Sequence, residues 1–147
     1  MLGWILAGGI LLLGSIYDIR CLCLPLWLML LGFAGSLAVC IGSWLIGGGQ
    51  WWEILPGLFP GTLFLVLAFL TKEQIGYGDG LVLLILGGYL DSKTVFGIWM
   101  SGLFGAFLVG VILLVCQKAG TKSRLPFIPC LFAGYLLMGI GEMMNVL

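Results

Sequence analysis

Apolar residues run through this chain in long blocks, broken by short polar or glycine-rich stretches rather than alternating with polar positions. The first block is Leu2 to Tyr17, and it ends at Asp18-Ile19-Arg20. Pro25 opens a second run to about Ile46, since proline is tolerated in the first turn of a helix. Gly47-Gly48-Gly49-Gln50 breaks that run, and Trp51-Trp52-Glu53 reads as an interfacial aromatic anchor. A third block covers Ile54 to Leu70, with Pro56 and Pro60 near its start, and Thr71 to Gln74 forms a polar turn. The fourth block, Ile75 to Leu90, is short and carries Asp79 inside it; Asp91-Ser92-Lys93 closes it. A fifth runs from about Val95 to Cys116, where Gly97, Gly102, Gly105 and Gly110 point to close helix contacts. The stretch from Gln117 to Arg124 is the most polar in the chain, and a sixth block extends from about Pro126 to Met144. Blocks of this length predict an all-α membrane protein, a single-domain bundle (residues 1–147) of about six transmembrane helices.

Composition agrees. The 147 residues are 62% hydrophobic and 8% charged, with a mean hydropathy of +1.25. Six basic and six acidic side chains are too few to cover a water-soluble domain of this size. Zero net charge and the lack of a basic stripe argue against a nucleic-acid partner. The first block lacks a basic leader region and a small-x-small cleavage site, so it is expected to remain as a mature helix.

Basic residues set the expected orientation. With the N-terminus outside, Arg20, Lys72, Lys118, Lys122 and Arg124 fall in cytoplasmic connections, and only Lys93 falls on the other side. The same assignment brings Asp18 and Asp79 to the cytoplasmic ends of their spans, although the acids played no part in it.

Histidine is absent, which excludes a His-based triad and a His-ligated zinc. Of five cysteines only Cys21 and Cys23 are close in sequence, and no second pair completes a four-thiolate site. They are expected to be small buried or interfacial hydrophobes, with no metal and no cofactor.

An ionisable group within an apolar block is costly and marks a functional site. Asp79 sits among Gly76, Gly78 and Gly80, which remove side chains around it. Asp18 is the comparable acid, although an ordinary helix-end charge neutralised by Arg20 would look the same. Two carboxyl groups brought together in a low-dielectric site share a proton, so one can activate water while the other polarises a carbonyl. That is aspartic-protease chemistry.

The motif Gly76-Tyr77-Gly78-Asp79 fits the Gly-x-Gly-Asp signature of intramembrane aspartic proteases, and among these the chain resembles the type IV prepilin peptidases. The spacing from Asp18 to Pro25 and the Pro126-Phe127-Ile128-Pro129 stretch match two further motifs of that family, in the expected order. The chain departs from the family at Leu81, commonly lysine, at Leu26, often asparagine, and at Ile128, usually small. The resemblance implies a catalytic pair, Asp18 and Asp79, in the cytoplasmic membrane of a bacterial cell. Its substrate would be a prepilin or pseudopilin with a short basic leader, cut after a glycine. Lys72 and Glu73, in the turn before Asp79, are candidates for binding that leader. With only Ile19 to Leu24 between Asp18 and the second span, the family's cytoplasmic methyltransferase domain is expected to be absent.

Presenilin-like proteases share a Tyr-Asp pair, as in Tyr17-Asp18, but carry a Pro-Ala-Leu motif not found here. A small proton- or ion-coupled transporter using intramembrane carboxylates is the alternative from another class. A purely structural subunit gives no reason for two matched acids.

Overall fold

A computed structural model describes residues 2–21, 24–47, 51–71, 76–115 and 127–146. Among the described residues the chain is all-helical, with no strand: α1 (Leu2–Cys21), α2 (Leu26–Gly47), α3 (Trp51–Leu70), α4 (Tyr77–Tyr89), α5 (Ser92–Val115) and α6 (Ile128–Val146). Among the described residues, three stretches are long and apolar enough to cross a membrane: Leu2–Cys21, Leu26–Leu45 and Ser92–Leu113. Ile54–Leu70, Tyr77–Tyr89 and Ile128–Gly141 are shorter apolar stretches.

Local chemistry explains the boundaries. Pro25 precedes α2, and its carbonyl accepts the N–H groups of Leu28 (3.1 Å) and Met29 (3.4 Å). Asp91 does more than close α4. It caps α5, accepting the Thr94 N–H on Oδ2 (3.2 Å) and the Thr94 hydroxyl on Oδ1 (2.6 Å). The α4–α5 connection is therefore only Leu90 and Asp91. Helix α3 runs through Pro56 and Pro60 rather than starting after them. Each proline removes one main-chain hydrogen bond. The Thr62 hydroxyl donates to the Leu58 and Phe59 carbonyls on the same helix.

The prolines are each followed by a glycine, and those glycines let α4 approach. A Cβ on Gly61 would lie 2.5 Å from the Leu84 nitrogen, and one on Gly80 3.0 Å from the Leu65 nitrogen. A Cβ on Gly87 would collide with the Gly57 carbonyl. The pairs Gly57–Gly87, Gly61–Leu84 and Leu65–Gly80 describe an antiparallel hairpin packed backbone to backbone, as small residues allow in a membrane. The glycines of α5 act similarly toward α6: Gly97 faces Met138, Gly102 faces Leu131 and Gly105 faces Cys130.

Helix α4 is the centre of the bundle. It touches α1, α2, α3 and α5, and seven of its thirteen residues are buried. Its Tyr89 hydroxyl donates to the Gly32 carbonyl of α2 at 3.0 Å. Across the bundle, the Tyr135 hydroxyl of α6 donates to the Trp4 carbonyl of α1 at 2.7 Å. Fully buried Leu11, Leu83, Leu86, Ile98, Ile128 and Leu131 form the core. The outward faces are apolar too, with Ile5, Leu26, Leu30, Phe104 and Val115 all exposed, the surface expected of helices that meet lipid rather than water.

Candidate active site

Three helix ends converge on one end of the bundle. Asp18 lies in the last turn of α1, Asp79 in the first turn of α4, and Phe127-Ile128 at the start of α6. Asp18 is buried, and its Oδ2 accepts the Ile128 main-chain N–H at 3.1 Å. Arg20, one turn-end away, is exposed, so the carboxyl is held by a helix terminus rather than by the neighbouring guanidinium. The first N–H groups of a helix have no partner within it, and a carboxyl group is a favoured one.

Asp79 is half-buried and close enough to Asp18 for their charges to interact. The chain thus brings together the two acids that the sequence singles out. The three glycines around Asp79 divide by function. A Cβ on Gly76 would lie 3.3 Å from Asp79 Oδ2, so glycine there keeps a side chain of its own off the carboxyl. Gly76 itself has φ −66° and ψ 126°, extended backbone open to any residue, so space and not backbone conformation favours glycine. Gly78 gives room to Leu24 (2.8 Å from a Cβ built there) and Gly80 to Leu65; these two serve helix packing.

The remaining candidates fall as follows. Pro25 immediately precedes α2 near this end. Phe127 is buried, and its carbonyl accepts the N–H groups of Cys130 (3.0 Å) and Leu131 (3.1 Å). Pro129 is in the first turn of α6, where a missing N–H costs no intrahelical bond. Lys72, Glu73 and Pro126 lie outside the described residues, as do Lys118, Lys122, Arg124, Cys23 and Cys116. Cys21, Cys40 and Cys130 form no disulfide among the described residues, and the Cys40 Sγ–H donates to the Gly88 carbonyl at 3.4 Å. An apolar cavity of about 390 Å³ lined by Cys40, Trp44, Ile54 and Leu58 lies toward the opposite end of α2, away from both acids.

Sequence reasoning missed two contributors. One is the Ile128 amide, a main-chain group that no side-chain pattern could flag. The other is an aromatic cluster behind it. The Phe127 ring stacks on Phe64 of α3 (5.5 Å between centroids, 20° between planes). Trp99 of α5 meets Phe64 edge-on at 6.2 Å and 80°.

No family model, curated protein or solved structure matches this chain.

Proposed function

We propose that this chain is a membrane-embedded aspartic endopeptidase of the type IV prepilin peptidase kind. It removes the basic leader of a prepilin or pseudopilin, cutting after a glycine at the cytoplasmic membrane face. The observation that carries the reading is the approach of Asp18 and Asp79, distant in sequence, at one end of an apolar helix bundle. Glycine at position 76 supports it, because a side chain there would press on the Asp79 carboxyl that a peptide backbone has to reach.

In this reading all six helices are spans, and the length of α4 matters. Thirteen helical residues rise only ~20 Å, against ~30 Å of hydrocarbon. With its Tyr89 end at the outer boundary, its first turn lies below the opposite surface. The scissile bond of a pilin precursor, at the junction of a basic leader and a hydrophobic helix, reaches that level.

The chemistry needs only the two carboxyl groups. One accepts a proton from water as the water oxygen attacks the scissile carbonyl carbon; the other gives its proton to the carbonyl oxygen. The tetrahedral intermediate then collapses: the carboxylate that gave its proton takes one back from a hydroxyl, the C–N bond breaks, and the leaving amine takes the proton that the other carboxyl drew from water, which restores the pair. No metal or nucleophilic side chain enters.

Co-expression with candidate prepilins tests the proposal. The expected result is a mobility shift of the pilin, lost with Asp79→Asn. A protein that cuts no candidate but dissipates a proton gradient only when both aspartates are present would replace this reading with the transporter.

A further inference from the structure

Two adjacent residues of α3 reach both halves of the candidate site. Phe64 stacks on Phe127, whose successor Ile128 donates its N–H to Asp18. Leu65 fills the space left by Gly80, the residue after Asp79. On the other side, the Ile128 side chain packs against Gly14, where a Cβ would lie 3.4 Å from Ile128 Cγ2. Gly14 and Asp18 are four residues apart, on one face of α1. Ile128 therefore grips α1 at two points, through its side chain at Gly14 and through its amide at Asp18.

We propose that the Phe127-Ile128 turn, braced by Phe64, is a positioning element that sets the Asp18 carboxyl opposite Asp79. This rests on the peptidase reading. Asp18 sits in the last turn of α1, where nothing further along that helix holds it. The turn holds that side chain through main-chain N–H groups, that of Ile128 at 3.1 Å with that of Phe127 beside it, and the Ile128 amide would lack a partner if the carboxyl turned away. The stack of Phe127 on Phe64, with Trp99 closing its edge, ties the turn to α3, and α3 is the helix packed most extensively on α4. The spacing of the two acids is thus transmitted through side-chain packing on α3, not through a direct bond between them.

Paired variants at position 128 test the main-chain link. Ile128→Ala loses the side chain and keeps the N–H; Ile128→Pro loses both, and proline is well accepted at the first position of a helix. Cleavage by Ile128→Pro should show a kcat roughly ten- to a hundredfold below that of Ile128→Ala at similar KM, the range for a hydrogen bond to a charged group. Phe64→Leu and Phe127→Leu, which leave the amide in place, should also lower kcat, by roughly tenfold, with KM unchanged. Equal kcat for the two position-128 variants, or losses in KM alone, would overturn the positioning role. Amide hydrogen exchange gives a readout independent of cleavage. Asp18→Ala should speed exchange at Ile128, and unchanged exchange would refute the link itself. A wild-type protein that cuts no prepilin, yet shows this exchange coupling, would remove the peptidase reading and the positioning role with it, while leaving the α1–α6 contact standing.

Discussion

Gly57 of α3 and Gly87 of α4 bring two helix backbones into direct contact: a Cβ on Gly57 would lie 3.1 Å from the Gly87 carbonyl oxygen. Neither position can take a side chain without moving a helix. Gly87→Val should therefore destabilise the bundle by about 1–3 kcal/mol, the usual cost of overpacking. Gly9→Ala, where nothing lies within 4 Å of the added Cβ, should not. Unfolding in detergent, followed by circular dichroism, compares the two; equal stability would mean that the α3–α4 contact is loose.

Asp18→Asn and Asp79→Asn should each reduce cleavage by about a thousandfold or more, since an amide can neither take the water proton nor supply one. The double variant should be no worse than either single one, because groups that act as a unit are not additive. Purified variants assayed for kcat decide this. A folded single variant with near-normal turnover would dissolve the pair.

The orientation expected from the basic residues can be read by labelling. In a background with the five native cysteines replaced, Lys72→Cys should react with an impermeant thiol reagent only after the cytoplasmic side is opened. Lys93→Cys, at the start of α5 and exposed, should react in intact cells. The reverse pattern would turn the molecule over and carry the candidate site to the outer face.

Asp91 should be a measurable stability determinant with no part in chemistry. Asp91→Ala removes both bonds to Thr94 and should cost about 1 kcal/mol, as loss of a helix cap does. Thermal unfolding measures the cost, while kcat should remain at the wild-type value. A fall in kcat without loss of stability would tie Asp91 to the reaction.

Glu73, proposed to receive the basic leader, can be tested by charge reversal. Glu73→Lys should slow cleavage of a basic-leader substrate several-fold, within the roughly 1 kcal/mol of an exposed pair. A substrate with neutralised leader charges should be affected less. Equal slowing of both would assign Glu73 to the polar turn alone.

The sequence by itself determined where the helices lie, because that information is local. Runs of apolar residues, Pro25 before α2 and the Gly76-to-Asp79 motif before the body of α4 all act on the chain within a turn or two. It also marked Asp18 and Asp79, since a carboxylate within an apolar block is conspicuous whatever surrounds it. Tertiary structure decided which faces meet. In a chain this apolar, outward residues such as Leu26 (76% exposed) and Val115 (77%) are as hydrophobic as the buried Leu83 and Leu86, so no polar stripe marks the outside of a helix. What separates inside from outside is shape: Gly57, Gly61, Gly80 and Gly87 matter because another backbone lies against them. The same holds for the site. Asp18 is fixed by a main-chain N–H 110 residues away, and that bond exists only because α1 and α6 pack together with Ile128 seated on Gly14.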